Sequence, residues 1–253
     1  MSTPDTGAEL EVLTPEWPVP GAVHAAFTLR IGGVSAPPYA TLNVGARVGD
    51  DPAAVLENRR RVRTQLKLPA EPAWLEQVHG TEVAELGAAN GTRSASADAV
   101  ITRHAGRVCA VQIADCLPVL FAARDASAIA VAHAGWRGLA AGVLEATVGR
   151  LGLDPAMLLA WMGPAISAAH FEVGDEVRAA FLAQDAGAAA AFAPNARRRW
   201  QCDLAALARR RLAALGVREV FGGLWCTFAD SRRFFSFRRD GRCGRMAALI
   251  WLE

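Results

Sequence analysis

The sequence predicts an α+β protein built on mixed sheets, and three observations lead to this fold class. Segments with the apolar pattern of strands outnumber helical segments, and the two kinds do not alternate regularly. Several strand segments, such as residues 128–132, are almost continuously apolar, as expected when a sheet is covered on both faces. The chain has 253 residues and is 52% hydrophobic, so it can bury a sizeable core.

The strands are predicted from short runs of apolar and β-branched residues that end at glycine, proline or polar positions. In chain order these strands cover residues 23–31, 73–78, 107–114, 118–122, 128–132, 158–162, 220–226, 234–238 and 246–252. No linker or internal repeat divides this series. We therefore expect a single domain over residues 1–253, in which residues 1–20 form a loosely ordered N-terminal segment.

The helices are predicted from capping residues and from apolar side chains three or four positions apart. They run from the Asp51-Pro52 cap to about residue 67, from the turn at 135–138 to about residue 151, over 174–183, and from the Asp203 cap to Gly216. The first helix carries Asn58 and Arg59 on its largely apolar face, where polar groups need partners. The alanine-rich residues 183–196 are expected to form a loop or a frayed helix end.

Charge and cysteine content exclude several classes of protein. The net charge of +2 gives no sign of a nucleic-acid-binding domain. The five cysteines contain no C-x-x-C pair, so neither a disulfide framework nor a zinc ribbon is indicated. The first twenty residues contain no Lys or Arg, unlike a secretory signal, and no uninterrupted apolar run is long enough to span a membrane. We expect a cytoplasmic protein with no nucleic-acid or membrane partner, and nothing in the sequence indicates an oligomeric state.

His79, Cys116 and His133 are the main candidates for chemistry, because each lies where a predicted strand meets a turn that contains glycine or proline. Two imidazoles and a thiolate suit zinc, and three protein ligands leave a fourth position open for water, as in catalytic zinc sites. A second hypothesis makes Cys116 a thiolate nucleophile with His133 as its base. The alternative without chemistry is a buried free cysteine and two hydrogen-bonded histidines.

Arginines beside glycine turns are a second set of candidates, since a guanidinium group can bind phosphate or carboxylate through two hydrogen bonds. Arg137 and Arg238 lie beside such turns, and Arg59 lies on the largely apolar face of the first helix; all three are predicted to bind substrate through their guanidinium groups. Asn43 lies in an apolar context, where it either binds a ligand or holds a turn. Asp98 and Asp115 are the acidic residues closest to the candidate motifs, and are proposed as a general base or as partners of the metal ligands. Arg30 also precedes two glycines.

An ordered set of motifs between residues 30 and 252 resembles the YfiH family, which is also called the polyphenol oxidase or laccase-domain family and the peptidoglycan editing factor family. The motifs are Arg30-Ile-Gly-Gly-Val-Ser35, Leu42-Asn43, Val48-Gly-Asp-Asp-Pro52, Asn58-Arg59, Trp74-Leu-Glu-Gln-Val-His-Gly80, Ala97-Asp-Ala99, Ala114-Asp-Cys-Leu-Pro-Val-Leu120, Ala132-His-Ala-Gly-Trp-Arg-Gly138, Gly163-Pro-Ala-Ile166, Phe171-Glu-Val-Gly174, Phe235-Ser-Phe-Arg-Arg-Asp-Gly241 and Gly244-Arg-Met-Ala247. Each block alone is weakly specific, and their order makes the set specific.

The resemblance implies an α/β/β/α sandwich with mixed sheets and a zinc site at His79, Cys116 and His133. It also implies enzymes that act on purine nucleosides and phosphate, by phosphorolysis of adenosine, inosine and methylthioadenosine and by deamination of adenosine. Some members are linked to the removal of wrongly incorporated serine from a peptidoglycan precursor. This alternative predicts an amide hydrolase that uses the same cysteine and histidines. A further alternative is a scaffold protein that holds a metal without catalysis.

The histidine count argues against the laccase activity that one family name implies. A multicopper laccase needs a blue copper site with two histidines and a cysteine, and several further histidines for a trinuclear cluster. The chain has five histidines, and three remain, scattered along the sequence, once His79 and His133 are assigned. Four-copper chemistry is therefore disfavoured. A single copper ion at the zinc site remains compatible with the donor set, because copper(II) binds such ligands more tightly than zinc.

Overall fold

The protein is a four-layered α/β/β/α sandwich, in which two mixed sheets lie face to face between two layers of helices. The structure is a computed structural model and describes residues 10–88 and 96–253. The strands of the described residues are β1 Val12–Leu13, β2 Val23–Thr28, β3 Ala73–Trp74, β4 Val83–Leu86, β5 Ala99–Thr102, β6 Val108–Ile113, β7 Leu117–Ala123, β8 Ile129–Ala134, β9 Leu158–Met162, β10 Glu172–Val173, β11 Phe192–Pro194, β12 Trp200–Cys202, β13 Glu219–Gly222 and β14 Met246–Leu252. The helices are α1 Pro52–Gln65, α2 Trp136–Ala141, α3 Val143–Leu151, α4 Asp175–Leu182, α5 Leu204–Leu215 and α6 Phe237–Asp240.

Both large sheets contain parallel and antiparallel pairs, as the irregular order of elements predicts. One sheet has five strands in the order β1-β2-β14-β6-β3, and only β3 and β6 pair in parallel. The other has six strands in the order β13-β9-β7-β8-β5-β4, with parallel pairs at its two edges. A small third sheet has the order β10-β12-β11.

The core between the sheets explains why the central strands are so apolar. Phe27 and Ile250 of the five-stranded sheet lie in one buried cluster with Leu120 and Val131 of the six-stranded sheet. The outer face of the five-stranded sheet is covered by α1 through Val62. On the other side, α3, α4 and α5 cover the six-stranded sheet in a separate cluster. Strands β7 and β14 are buried along their whole length because both of their faces are covered.

Most predicted helices and strands are confirmed in position, and several boundaries differ for local reasons. Asp51 caps α1 by accepting a hydrogen bond from Ala53 N, as its sequence predicts. The predicted helix up to residue 151 is two helices, because Gly142 adopts a left-handed conformation with φ 103° between α2 and α3. The predicted strand 220–226 ends early at Gly222, which together with Gly223 has positive φ.

Two segments have a different structure from the one predicted. Residues 234–238 were expected to form a strand, but α6 begins at Phe237 because the Ser236 side chain caps it at Arg239 N. Residues 183–196, expected to be a loop or a frayed helix end, contain a 3-10 helix over Ala186–Ala191 and also β11, which pairs with β12. The predicted strand 73–78 contains only β3 and an isolated bridge from Glu76 to Ser96. Of the N-terminal segment, residues 1–9 lie outside the described residues, and β1 pairs with β2.

Within the described ranges, no helix has both the length and the apolar character needed to cross a membrane.

Replacing Leu120 with alanine is expected to lower the free energy of unfolding by about 2–5 kcal/mol. Leu120 is fully buried between the two large sheets, so its loss removes buried apolar surface and leaves a cavity. Chemical denaturation followed by circular dichroism measures the change. Leu56→Ala is the matched control, because Leu56 is 70% exposed on α1 and should change the free energy of unfolding by at most about 0.5 kcal/mol. Equal effects of the two substitutions would contradict the sandwich core.

Candidate active site

The fold brings His79, Cys116 and His133 together at one end of the six-stranded sheet. Cys116 directly precedes β7, and His133 lies near the end of β8, which pairs with β7 so that His133 faces Pro118. His79 lies in the loop that follows β3 rather than at a strand end. One ligand atom from each side chain lies within 4.8 Å of the others. The Sγ of Cys116 is 3.9 Å from Nε2 of His79. The predicted convergence of these residues is therefore present.

The buried carboxylate of Asp98 orients both histidines. One oxygen of Asp98 accepts a hydrogen bond of 2.8 Å from Nδ1 of His133. Because Nδ1 carries this proton, Nε2 of His133 is left with a lone pair for a ligand. The same carboxylate accepts hydrogen bonds from the backbone N–H groups of Val78, His79 and Gly80 at 3.1, 3.0 and 2.7 Å. These three bonds hold the loop in which His79 has a positive φ of 62°.

Cys116 and His133 form an electrostatically coupled pair. Burial alone raises the pKa of the Cys116 thiol, but the nearby imidazoles of His133 and His79 outweigh burial and lower this pKa to about 6. Burial lowers the pKa of His133, whereas the Cys116 thiolate and Asp98 raise it above its usual range. A sulfur that is a thiolate at neutral pH can ligate a metal or attack an electrophile.

Gly135 gives the three side chains room to approach one another. A Cβ atom at this position would lie 2.9 Å from Sγ of Cys116 and 3.1 Å from Cδ2 of His79. Any other residue would therefore push the ligand atoms apart. The sequence indicated that Gly135 begins a turn. The structure shows that a side chain at this position would crowd Cys116 and His79.

The donor set fits a metal ion that accepts nitrogen and sulfur ligands. Two imidazoles and one thiolate are ligands that zinc and copper both bind. His79 is exposed, Cys116 is half-buried and His133 is buried, so one side of the cluster faces solvent. Across residues 10–88 and 96–253, this is the one group of three or more His, Cys, Asp or Glu side chains arranged to hold a metal. The identity of a metal is not fixed by these residues alone.

The cluster lies on the wall of a cavity of about 820 Å³, which is within the range of small-molecule sites. Arginines and aromatic rings contribute much of its lining. The arginines are Arg47, Arg59, Arg137, Arg238 and Arg245, and the aromatic residues are Trp74, Trp136, Phe171 and Phe237. The carboxylates among the lining residues are Glu71 and Asp115, so the cavity wall carries an excess of positive charge.

Four of these arginines lie over aromatic rings of the same cavity. The guanidinium carbon is 4.2 Å from the ring centre in the pair Arg59–Trp74 and 4.6 Å in the pair Arg137–Trp136. The corresponding distance is 5.2 Å for Arg238 over Phe171, and Arg245 lies over Phe237 at 5.9 Å. These cation–π contacts restrict where each guanidinium group lies on the cavity wall, and guanidinium groups bind anions through their N–H groups.

Three of the four predicted substrate-binding residues line the cavity, and Asn43 does not. Arg59, Arg137 and Arg238 all line the cavity. Asn43 is fully buried, its Oδ1 accepts hydrogen bonds of 2.8 Å from the N–H groups of Gly45 and Arg245, and its amide donates to Asp50 at 2.8 Å. Of the two predicted roles for Asn43, these contacts correspond to holding a turn.

The two acidic candidates are both committed to hydrogen bonds inside the protein. Asp98 lies behind the histidines, as described above. One carboxylate oxygen of Asp115 accepts from Thr227 at 2.6 Å and the other from the backbone N–H of Arg238 at 2.7 Å. Asp115 has a positive φ of 95°, and its bonds tie the turn before Cys116 to the start of α6. Both residues therefore position the site, and their oxygens already have donors.

Sequence reasoning missed Arg47 and Arg245 as cavity residues. Arg245 follows Gly244, so the glycine-flanked signal that selected Arg137 applies to it as well. The same signal also selects Arg30, which does not line the cavity and donates to the backbone oxygens of Ala40 and Ser231. A flanking glycine alone therefore does not separate cavity arginines from structural ones. No signal in the sequence distinguishes Arg47.

Comparisons with known proteins identify the family of the chain. A family model described as multi-copper polyphenol oxidoreductase laccase matches residues 24–253. The chain is 51% identical over 242 residues to the protein named purine nucleoside phosphorylase YfiH of Escherichia coli. The aligned region covers 96% of this chain and 99% of that one. The chain is 52% identical to the purine nucleoside phosphorylase PA4543 of Pseudomonas aeruginosa, with 95% and 98% of the two chains covered.

Solved structures show the same fold over almost the whole chain. The Neisseria meningitidis protein NMB0706 superposes with a TM-score of 0.90 at 46% identity, covering 96% of this chain and 99% of that one. YlmD of Geobacillus stearothermophilus superposes with a TM-score of 0.84 at 31% identity, covering 92% and 93%. The α/β/β/α arrangement, the family model and the identity to YfiH proteins agree, and the chain belongs to the YfiH family of laccase-domain proteins.

Proposed function

We propose that the protein is a metal-dependent enzyme of purine nucleosides, which carries out phosphorolysis of adenosine, inosine and methylthioadenosine and deamination of adenosine. The observation that carries this proposal is the position of a His–Cys–His cluster on the wall of a cationic and aromatic cavity that is large enough for a nucleoside. Relatives named purine nucleoside phosphorylase, about 50% identical over nearly the full chain, support the substrate class.

The cavity residues match the chemical demands of phosphorolysis. Phosphate has to be held as an anion beside C1′ of the nucleoside, and guanidinium groups bind phosphate through paired hydrogen bonds. Aromatic faces such as Trp74 and Trp136 provide apolar surface for a purine. His79, Cys116 and His133 would hold the metal. A bound zinc ion supplies a Lewis acid at this wall of the cavity.

The remaining histidines do not supply the ligands that laccase chemistry would require. His24 stacks on Trp251 with ring centres 5.6 Å apart, and His170 stacks on Phe228 at 4.5 Å. His104 follows β5 and belongs to no metal-binding group among the described residues. The chain can offer one copper site at the His–Cys–His cluster, and we do not propose a four-copper oxidase.

An amide hydrolase, for example one that edits a peptidoglycan precursor, is the second candidate function. The lowered pKa of Cys116 and the raised pKa of His133 favour it, because together they describe a thiolate beside an imidazolium when no metal is bound. A sulfur that is bound to zinc is a poor nucleophile toward carbon. Metal binding and nucleophilic attack by Cys116 therefore exclude each other, and one experiment separates them.

The nucleoside function is tested by incubating the pure protein with adenosine, with and without phosphate, and separating the products. We expect adenine in the presence of phosphate and inosine in its absence. His133→Ala should lose both activities by at least about a hundredfold, because it removes a metal ligand. His24→Ala, a histidine outside the cavity, is the control and should keep both. Equal product yields from the wild type and His133→Ala would refute the proposal.

The role of Cys116 is tested with iodoacetamide and peptide mapping. As a metal ligand, Cys116 should resist alkylation in the metal-loaded protein and react after chelation. In the chelated protein the rate should rise through pH 6 and level off above pH 7, because the pKa of Cys116 is lowered to about 6 and the thiolate is the reactive form. Burial raises the pKa of Cys109, which serves as the unreactive internal control. Rapid alkylation before chelation would favour the hydrolase with a thiolate nucleophile.

Asp98→Asn is expected to weaken metal binding by about 10–100-fold. The substitution removes the charged acceptor of His133 Nδ1 and leaves one oxygen where two accepted from the loop around His79. Competition with a chromogenic chelator measures the affinity, and thermal unfolding reports whether the variant is folded. Asp125→Asn, at an exposed turn, is the matched control and should bind metal like the wild type. A folded Asp98→Asn variant with unchanged affinity would rule out this positioning role.

A further inference from the structure

The five arginines that line the cavity differ in their neighbours. Two of them adjoin the His–Cys–His cluster. Arg137 lies two positions after Gly135, which contacts the cluster, and the backbone N–H of Arg238 is bonded to Asp115 beside Cys116. The other three cavity arginines, Arg47, Arg59 and Arg245, lie around the segment 43–48, and Arg245 also lies over Phe237.

Segment 43–48 brings these three arginines together. Arg59 donates from Nε to the backbone oxygen of Val44 at 3.0 Å. Val44 in turn donates to the backbone oxygen of Arg245 at 3.1 Å. A Cβ atom at Gly45 would lie 2.7 Å from Cγ of Arg245, so the glycine lets this side chain pass close to the segment. Arg47 belongs to the same segment and lines the same cavity. We call Arg47, Arg59 and Arg245 the arginine cluster.

The charges of Arg59 and Arg245 are anchored on neutral groups. Arg59 binds a carbonyl oxygen, and Arg245 donates from Nη1 to the carbonyl oxygens of Cys243 and Gly244, both at 3.0 Å. Arg47 forms an ion pair with Glu76. Glu71 and Asp115 are the carboxylates among the lining residues of the cavity. Glu71 accepts a hydrogen bond of 2.7 Å from Nε1 of Trp74. Burial lowers the pKa of Arg59, so an anion bound beside Arg59 would stabilise its charged form.

The segment from Trp74 to His79 runs along the cavity wall between the two groups of residues. Arg59 lies over Trp74 at one end of this segment, and His79 belongs to the metal-binding cluster at the other. Trp74, Gln77 and His79 all line the cavity. Five residues in an extended chain span at most about 17 Å, so Trp74 and His79 are no further apart than this.

We infer that the arginine cluster is the phosphate subsite, and that the purine ring points toward the His–Cys–His cluster. This inference rests on the proposed function and deepens it. With C6 of adenosine at the metal-binding end, C1′ lies at the opposite end of the purine, toward Arg59 and Arg245. One pose then serves both reactions. Water adds at C6 and ammonia leaves in deamination, whereas phosphate reacts at C1′ in phosphorolysis.

The phosphorolytic step balances without any further reactant. A phosphate oxygen forms a bond to C1′ while the bond from C1′ to N9 breaks. The electron pair of that bond goes to the purine, which takes up the proton that hydrogen phosphate gives up, directly or relayed through water, and leaves as the free base. The products are the base and ribose 1-phosphate. The arginine cluster holds the charge of the phosphate throughout, which is the contribution that bidentate guanidinium groups make to such transfers.

The inference is tested by the phosphate dependence of adenosine phosphorolysis in single variants. Arg59→Met and Arg245→Met should each raise the KM for phosphate by roughly 10–100-fold, as expected for the loss of a charge-assisted hydrogen bond. The KM for adenosine in phosphate-free deamination should change much less. Arg218→Met, at an exposed arginine outside the cavity, is the matched control and should match the wild type in both assays.

Either of two outcomes would contradict the inference. It is wrong if Arg59→Met and Arg245→Met leave the KM for phosphate unchanged, or if Arg137→Met or Arg238→Met raises it more than they do. A second measurement on the wild type covers variants that fail to fold. Inorganic phosphate should slow the modification of Arg59 and Arg245 by phenylglyoxal, but not that of Arg218, and equal protection of all three contradicts the subsite.

Two further assays distinguish the origin of the bound phosphate group and test the proposed function separately. Adenosine 5′-monophosphate tests whether the subsite takes a phosphate group that is part of the substrate. If the variants raise the KM for this nucleotide and not for free phosphate, these arginines bind the phosphate group of a nucleotide, and the inference of a subsite for free phosphate is wrong. If the wild type releases no base in the presence of phosphate, the proposed function fails. Protection by phosphate against phenylglyoxal then still decides whether the subsite exists.

Discussion

The geometry of the site depends on one buried carboxylate. Asp98 is completely inaccessible to solvent, and its two oxygens accept four hydrogen bonds from two separate parts of the chain. Burial alone raises the pKa of Asp98, yet the bond from His133 and those from the loop amides lower it, so the charged form is retained. The backbone of Asp98 also joins the sheet, because its oxygen accepts from the N–H of His133 at 2.7 Å. The fold and the ligand cluster are thus tied together at a single residue.

The two-sheet core explains why such a site can be rigid. Strands β7 and β8 lie at the centre of the molecule and are covered on both faces, so their register is fixed by packing on each side. Cys116 and His133 are placed by that register. His79 lies in a loop, so no strand register positions it. The hydrogen bonds from the loop amides to Asp98 hold it in place instead. A cluster with two ligands on a rigid sheet and one on a tethered loop can be preorganised and still open to a cavity.

The sequence predicted the parts of this arrangement that depend on local patterns. Apolar runs identified the central strands, and the order of elements predicted mixed sheets. The convergence of His79, Cys116 and His133 was also predicted, although His79 proved to lie in a loop. The segment 234–238 was assigned to a strand from its apolar residues. Phe234 and Phe235 are buried, but Phe237 is 58% exposed, and the capping side chain of Ser236 starts a helix there. At this position the helix cap determines the local structure, although the apolar pattern is typical of a strand.

The residues that pattern reasoning missed are those whose role depends on contacts distant in sequence. The glycine before Arg245 does not separate it from structural arginines such as Arg30, and Arg47 belongs to no motif that the sequence offered. Arg245 and Arg47 reach the cavity because residues 33–45 follow an irregular path that polar side chains stabilise from within. Asn58 of α1 is fully buried and accepts from Val34 N at 2.8 Å. Its amide donates to the backbone oxygens of Thr41 and Asn43 at 3.1 and 2.8 Å.

Asn58 therefore lies on the apolar face of its helix for a structural reason. An asparagine buried there without partners would destabilise the fold, but here both its oxygen and its amide are bonded. The bonds fix Asn43, and Asn43 in turn holds the N–H groups of Gly45 and Arg245. A chain of buried amides thus runs from α1 to the arginine cluster. These buried hydrogen bonds fix the backbone of the segment beside which Arg59 and Arg245 lie.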